Sequence, residues 1–400
     1  MKLNKTLLKG SIILLFSFGI YNFLNFIFQF SMARMLSLEQ YGIIATLFSM
    51  IYIFSIFADS IQMVVTRYTS REKDFGRLRN ITKRSFNRVI KISFWAFILY
   101  VLVIIPLSFL LKIDYIILLG NGLIIFSVFM LPVSRGIMQG RKNFSKLGIN
   151  MVSESIIKLI ISVLLVFFGM MIYGALIGIV LGPSIAFAIS LIQIKEIKKG
   201  KEKNANLVNW KGYSGATFVV IFVITVFYSI DIIIARIMFS PEVSGAYAIA
   251  SILSKAIFWG TQPVSRAMFP LSSENGKKSK DNENILKNSF LIILILIFIA
   301  LCILFFFSEL IIEIFAGKTV NQASSILLYL GIAMSILSIT NLILLYKLSL
   351  NKITKYSYLI IALIIEIALL FYFSNDLVQF SFALVVSSTI LLAMALKIVD

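Results

Sequence analysis

Residues 230–255 read IDIIIARIMFSPEVSGAYAIASILSK, and this stretch decides the fold. Two apolar runs flank a short turn, and each continues beyond the quoted letters until it is long enough to cross a bilayer. A helical crossing needs about 20 mainly apolar residues, and comparable runs recur along the chain with short polar gaps. The pattern predicts an all-α integral membrane protein in which tight turns join successive helices.

Composition supports this fold class, because 60% of the 400 residues are hydrophobic and only 14% are charged. Soluble domains are about 45–50% apolar and about 25% charged. The apolar runs predict about twelve transmembrane helices, at residues 10–33, 42–66, 92–111, 116–139, 149–170, 173–194, 212–237, 244–268, 288–308, 323–346, 356–374 and 378–397. Residues 1–200 and 201–400 would then each form a lobe of six helices.

The 37 Lys and Arg residues and the net charge of +19 are spread over many short connections. A nucleic-acid interface would gather them on one face, so we expect no nucleic-acid partner. They concentrate in alternate connections, which by the positive-inside rule predicts a multi-pass protein of the plasma membrane with both termini in the cytoplasm. The basic connections 67–91 and 195–212 are long. The first is either an amphipathic helix on the inner leaflet or a solvated loop.

An internal repeat relates the two halves of the chain. ARMLSLEQYGIIATLFSM at 33–50 aligns with ARIMFSPEVSGAYAIASIL at 235–253 when one residue is inserted before the glycine. Both copies fall at the turn between the first and second helix of a six-helix half. Since each half has an even number of crossings, the halves share one orientation. We therefore expect two pseudo-symmetric six-helix lobes around a central cavity.

Charged side chains at membrane depth are the candidate functional residues, because they are costly in hydrocarbon and usually line a polar pathway. Seven of them stand out: Arg34, Asp59, Lys158, Asp231, Arg236, Lys255 and Glu366. Cations in both halves favour a cavity that accepts an anion.

Purely structural interpretations of these residues stay open. Glu154 and Lys158 are spaced i, i+4, the favourable order for a pair on one helical face. Lys255 and Glu366 belong to the same half and would neutralise each other. Arg34 and Arg236 lie near enough to the interface to snorkel into water, and Asp59 would bond backbone amides near a helix end.

The sequence lacks the residues that several kinds of chemistry require. The chain has one cysteine, Cys302, and no histidine, so neither an intrachain disulfide nor a histidine metal site is available. It also contains no phosphate-binding GxxxxGK[ST] loop, HExxH motif or nucleophile elbow. We expect a transporter rather than an enzyme, with no catalytic residue, metal site or bound cofactor.

The motifs resemble polysaccharide flippases of the O-antigen type, in the multidrug/oligosaccharidyl-lipid/polysaccharide exporter superfamily. The matching residues of the opening stretch and its continuation are Asp231, Ser240, Pro241, Glu242, Gly245, Tyr247 and Pro270. Residues 33–50, the segment FADSIQMVVTRY at 57–68 and the segment RGIMQGRKNFSKLGINMVSESIIKLIISVLLVFFG at 135–169 resemble the same family. The likeness extends over nearly the whole chain.

This resemblance implies alternating access and export of polyprenyl-pyrophosphate-linked oligosaccharide from the inner to the outer leaflet. It makes four cations candidates for binding the anionic cargo: Arg34, Lys158, Arg236 and Lys255. Four carboxylates become candidates for gating or for proton or sodium coupling: Asp59, Glu154, Asp231 and Glu366. The partners it implies are the lipid-linked oligosaccharide, membrane lipids and the polysaccharide polymerase machinery. Lipid II flippases have two further helices, so lipid II is the less favoured cargo.

Two other functions compete with the flippase. An ion-coupled multidrug antiporter of the same superfamily would export cationic drugs from an acidic cavity, whereas Lys158 and Lys255 place cations at mid-depth. A membrane-embedded polysaccharide polymerase or ligase would need a sizeable external loop to bring acceptor and donor together, and the predicted external connections are short.

Overall fold

A computed structural model describes residues 5–199, 201–205, 215–274, 280–350 and 356–397. Every regular element within these ranges is helical. Fourteen α-helices follow one another: α1 Lys5–Met35, α2 Leu38–Arg71, α3 Phe75–Leu111, α4 Tyr115–Gly122, α5 Ile124–Gly140, α6 Phe144–Leu165, α7 Met171–Gln193, α8 Gly215–Met238, α9 Pro241–Glu274, α10 Lys280–Phe306, α11 Ser308–Ala316, α12 Asn321–Ser349, α13 Ser357–Tyr372 and α14 Leu377–Lys397.

These helices confirm the predicted class of an all-α membrane protein. Ten helical stretches of the described residues are long and apolar enough to cross a membrane. One of them, Phe144–Gln193, contains both α6 and α7, and the shorter apolar helix α13 adds a further candidate. Within the described residues, each of the twelve predicted spans therefore falls on one or two helices of the structure; residues 212–214, at the start of the seventh span, lie outside the described residues.

A reversal of the chain separates α6 from α7. Gly169 has φ 88°, a conformation that L side chains rarely adopt. A Cβ added at Gly174 would lie 2.8 Å from the carbonyl carbon of Leu165, and one added at Gly182 would lie 2.7 Å from the Cβ of Lys158. A glycine later in α7 thus contacts a residue earlier in α6. The two helices are therefore antiparallel, and glycines allow their backbones to approach closely.

The chain divides into two compact units. Unit 1 comprises Met1–Leu36 and Phe54–Tyr213, and unit 2 comprises Ser37–Ile53 and Ser214–Asp400. The first half of α2 thus packs within unit 2 and its second half within unit 1. The division into lobes at residue 200 remains a prediction.

Packing within each unit repeats the same scheme. In unit 1, α6 packs against α1 and α7, so the fifth crossing contacts the first and the sixth. In unit 2, α13 packs against α8 and α14, which are the corresponding crossings of that half. This shared scheme agrees with the internal repeat found in the sequence.

The two copies of the repeated sequence meet inside unit 2. Each forms a two-residue connection, between α1 and α2 and between α8 and α9. A Cβ added at Gly42 of α2 would lie 3.0 Å from the Cα of Gly245 in α9, and a Cβ at Gly245 would lie 2.5 Å from the carbonyl carbon of Leu38. The repeated glycine therefore marks a close crossing of these two helices.

The basic stretch 67–91 is helical, so the interpretation as a solvated loop is wrong. The helix α2 continues to Arg71 and α3 begins at Phe75. At about 1.5 Å per residue, the 37 residues of α3 extend over about 55 Å, well beyond the about 30 Å hydrocarbon core. Its apolar part coincides with the predicted span 92–111, and its basic part is a helical extension of that span.

Residues 201–205 are fastened to this extension of α3. Lys203 donates from Nζ to Asp74 Oδ2 at 2.7 Å and from its amide to the carbonyl of Gly76 at 3.2 Å. Glu202 accepts from Asn80 Nδ2 at 2.8 Å and from Lys83 Nζ at 3.0 Å. The hydrogen bond from Lys203 lowers the pKa of Asp74, and that from Lys83 lowers the pKa of Glu202.

The lowered pKa values predict that residues 201–205 loosen in acid. A carboxyl whose folded-state pKa is depressed stabilises the fold above its unfolded pKa, and this contribution is lost as the pH falls through the folded pKa. The ordinary values are 3.8 for Asp74 and 4.5 for Glu202. Amide exchange of residues 201–205, corrected for its intrinsic pH dependence, should accelerate below the lower of these values. Asp74→Asn should accelerate it at neutral pH, whereas Lys73→Ala should not; equal protection at both pH values would contradict the prediction.

Candidate functional site

A hydrogen-bonded ion pair joins α8 and α9 in unit 2. Lys255 donates from Nζ to Asp231 Oδ1 at 2.9 Å. Ser251 and Tyr247 donate their hydroxyl groups to Asp231 Oδ2 at 2.7 and 3.1 Å. All four residues are buried, so the pair lies in a medium where a lone charge would be expensive. Both oxygens of Asp231 are therefore in use.

Glu366 brings a second carboxyl group to this cluster from α13. Its side chain is fully buried, and neither carboxyl oxygen has a hydrogen-bond partner among the described residues. Asp231, Lys255 and Tyr247 interact with it electrostatically. The interpretation that Lys255 and Glu366 simply neutralise each other is wrong, because the ammonium group bonds Asp231. We call Asp231, Lys255, Tyr247, Ser251 and Glu366 the carboxylate cluster.

Arg236, at the end of α8, is also buried and is 1% exposed. It donates from Nη1 to the carbonyl of Pro241 at 3.2 Å and to Ser244 Oγ at 3.1 Å. Its Nη2 lies 3.9 Å from Glu39 Oε1. The guanidinium group therefore ties the end of α8 to the first turns of α9 and α2, all within unit 2. Arg236 therefore does not snorkel into water.

Unit 1 contains an ion pair between α5 and α6. Arg135 donates from Nη2 to Glu154 Oε2 at 2.6 Å and from Nε to Asn150 Oδ1 at 2.9 Å. Asn150 in turn donates to the carbonyl of Ala186 in α7 at 2.8 Å. The carboxylate of Glu154, which was predicted to pair with Lys158 on the same helix, thus bonds the guanidinium group of another helix.

Lys158 lies one turn further along α6 and is 7% exposed. Its ammonium group donates to Asn25 Oδ1 of α1 and lies 4.9 Å from the centre of the Phe28 ring. Asn25 is a neutral hydrogen-bond partner of this ammonium group, and the ring face adds a favourable cation–π contact. We call Arg135, Glu154, Lys158 and Asn25 the cationic cluster.

Two predicted residues of unit 1 lie outside this cluster. Arg34, in the last turn of α1, is exposed, and its guanidinium carbon lies 4.7 Å from the centre of the Phe30 ring. Asp59 is an exposed residue of α2. The repeat-related arginines Arg34 and Arg236 therefore differ in burial. Roles in substrate binding and coupling remain predictions for all eight candidates.

Comparison with known proteins identifies the family. Residues 7–276 match the family described as "Polysaccharide biosynthesis protein". This match covers more than half of the chain. The chain belongs to the polysaccharide biosynthesis protein family. No curated protein matches it in sequence.

Solved structures share the fold of this family member at low sequence identity. An inward-facing multidrug resistance MATE family transporter of the MOP superfamily aligns over 95% of this chain and 94% of its own, with a TM-score of 0.77 and 9% identity. The lipid II flippase MurJ, in an inward closed conformation, aligns over 96% of this chain and 87% of its own, with a TM-score of 0.75 and 15% identity. The fold is therefore that of the transporters and flippases of the MOP superfamily, as the sequence resemblance implied.

Sequence reasoning missed several partners in both clusters of this family member. Tyr247, Ser251 and Lys255 are spaced i, i+4, i+8, which places them on one face of α9. This row of polar side chains indicated a common partner on an adjacent helix, which is Asp231 of α8. Arg135 was visible as a cation within a predicted span, but Asn25 carried no signal in the sequence.

The two clusters carry opposite net charge when all their ionisable groups are charged. Arg135 and Lys158 outnumber Glu154, which leaves the cationic cluster with one positive charge in excess. Asp231 and Glu366 outnumber Lys255, which leaves the carboxylate cluster with one negative charge in excess. The two buried clusters of this family member therefore differ in the sign of their net charge.

Proposed function

We propose that this protein is a flippase that moves polyprenyl-pyrophosphate-linked oligosaccharide from the cytoplasmic to the outer leaflet of the plasma membrane. Membership of the polysaccharide biosynthesis family and the MOP-type fold support transport as the activity. The positive-inside pattern supports cytoplasmic termini. Export of this cargo hands the oligosaccharide to polymerase machinery on the outer side.

The observation that carries the choice of cargo is the excess positive charge of the cationic cluster. Lys158 is buried and donates to the amide oxygen of Asn25, and Glu154, one turn away on α6, bonds Arg135, so two cations share one carboxylate in this cluster. An ammonium group in that setting gains strongly from an anionic partner, since hydrogen bonds between ionised groups are stronger than those to neutral ones. A pyrophosphate or an acidic sugar supplies such a partner, and a cationic drug does not.

The carboxylate cluster supports coupling of transport to an ion gradient. Asp231 and Glu366 place an excess negative charge at membrane depth, where ionisable residues commonly serve proton relays and ion pathways. A gradient-driven step changes the charge of this cluster and thereby alters which conformation of the transporter is favoured. In this proposal the ion gradient acts on unit 2, and unit 1 binds the cargo headgroup.

A multidrug antiporter is the second candidate, because the same excess negative charge suits a cationic solute. The MATE transporters among the solved relatives share the fold, and at this level of identity fold alone does not choose the substrate. The two functions make opposite demands on the cationic cluster. A cationic solute would be repelled by Lys158 and Arg135, whereas a lipid pyrophosphate would be attracted.

Reconstitution into vesicles tests the proposal. Purified full-length protein is incorporated into vesicles that contain polyprenyl-pyrophosphate-linked oligosaccharide, and an impermeant glycosidase reports which sugars face outward. We expect the protein to make the protected sugars accessible and to leave a trapped cationic dye inside. Protein-free vesicles are the control. Dye efflux together with unchanged sugar protection would replace the flippase by the antiporter.

A further inference from the structure

Lys255 is the cationic hydrogen-bond partner of Asp231 in the carboxylate cluster. Its Nζ lies 2.9 Å from Asp231 Oδ1, and two hydroxyl donors take Asp231 Oδ2. The lysine is 2% exposed and the aspartate is fully buried. A cation that is part of the chain therefore already satisfies one of the two carboxylates.

Glu366 is the carboxylate of this cluster that accepts no hydrogen bond from the described residues. It is 0% exposed and has no hydrogen-bond donor among the described residues. The ionisable groups that face it are Asp231 of α8 and Lys255 and Tyr247 of α9. The helix α14 also packs on α13, and its only Asp, Glu, Lys or Arg is the exposed Lys397 in its last turn.

The residues of this cluster do not fit a sodium ion. The oxygen that a sodium ion would need, Asp231 Oδ1, already accepts from Lys255 Nζ at 2.9 Å. A sodium ion would have to displace an ammonium group that is covalently attached and hydrogen bonded.

We propose that Lys255 is the ion-selectivity residue of this transporter: it replaces sodium as the partner of Asp231 and leaves Glu366 to couple transport to protons. This inference rests on the proposed function as a gradient-driven transporter. A proton from water on one side binds one carboxyl oxygen of Glu366 and later returns to water on the other side, so no covalent bond within the side chain breaks. Binding removes the single excess negative charge of the cluster.

Sodium binding is measured without cargo, which separates this inference from the flippase proposal. The thermal unfolding of purified full-length protein is followed in sodium chloride and in choline chloride at equal ionic strength. A ligand that binds only the folded state raises the unfolding temperature. We expect the wild-type protein to unfold at the same temperature in both salts.

Removing the built-in cation should create a sodium response. We expect Lys255→Met to unfold at a higher temperature in sodium than in choline, and the added change Glu366→Gln to abolish that difference. Lys347→Met is the matched control, because Lys347 is a buried lysine of unit 2 whose ammonium group bonds the carbonyls of Ala395 and Leu396. This control should show no sodium response.

Two results would overturn the inference. One is a sodium-dependent rise in the unfolding temperature of the wild-type protein that Glu366→Gln removes. The other is a folded Lys255→Met protein that does not respond to sodium. If Lys255→Met does not fold, vesicle transport decides: a pH gradient should drive the wild-type protein but not Glu366→Gln, and a sodium gradient should drive neither. Transport by the wild-type protein that responds to sodium alone would reject proton coupling.

Discussion

Replacing Lys158 by Met is expected to lower glycan export at least about tenfold while folded protein remains in the membrane. Methionine keeps most of the length and apolar contact of the side chain and removes the charge that the anionic headgroup needs. A hydrogen bond to a charged group contributes about 1.5–3 kcal/mol, and about 1.4 kcal/mol corresponds to a tenfold change in binding. Surface glycan is measured in cells in which this chain is the only flippase for that glycan.

Lys146→Met is the control for this substitution. Lys146 belongs to the same helix but is partly exposed and pairs with Glu196 at 3.4 Å, outside the cationic cluster. We expect its surface glycan to match that of the wild-type protein. Wild-type glycan in cells carrying Lys158→Met would remove the electrostatic argument for an anionic cargo.

Replacing Gly245 by Ala should destabilise the fold by about 1–3 kcal/mol, the usual cost of overpacking a tight contact. The new Cβ would lie 2.5 Å from the carbonyl carbon of Leu38 and 3.2 Å from its Cα. Because the obstacle is backbone, α2 and α9 have to separate before the methyl group fits. The free energy of unfolding of the purified protein is the measurement.

Gly260→Ala, in the same helix, gives the matched comparison. A Cβ there meets no atom within 4 Å, and alanine favours a helix over glycine by about 0.5–1 kcal/mol. We expect this variant to be as stable as the wild-type protein or slightly more stable. Equal stabilities of the two variants would show that the crossing at Gly245 tolerates a side chain and is looser than described.

Hydropathy was enough to predict the helices, because the bilayer imposes one length and one polarity on every crossing. The same rule makes no prediction for segments that lie outside the hydrocarbon core. The stretch 67–91 was therefore open to interpretation as a loop or as a helix, although Asp74 caps α3 by accepting from the amides of Gly76 and Arg77. That cap was a helix-start signal that the density of basic residues obscured.

The pairing of the buried charges could not be predicted from the sequence, because depth in the membrane identifies a residue that is costly to bury but not its partner. Glu154 had a possible partner four residues away on its own helix, yet it bonds Arg135 on α5. Lys255 had Glu366 at similar depth, yet it bonds Asp231. Side-chain direction and helix rotation decide such choices, and a single sequence records neither.

The antiparallel arrangement of α6 and α7 has a consequence for how the nascent chain enters the bilayer. A charged residue at the centre of a lone helix costs about 2.5–3.5 kcal/mol at the translocon, and α6 carries both Glu154 and Lys158. The helix α7 has no charged residue and follows after only five residues. Once it emerges, its Ala186 carbonyl accepts from Asn150 and its Gly182 covers the base of the Lys158 side chain. The charged groups of α6 bond Arg135 of α5 and Asn25 of α1, which are synthesised earlier, and α7 completes the enclosure of this helix, so α6 and α7 are expected to leave the translocon together.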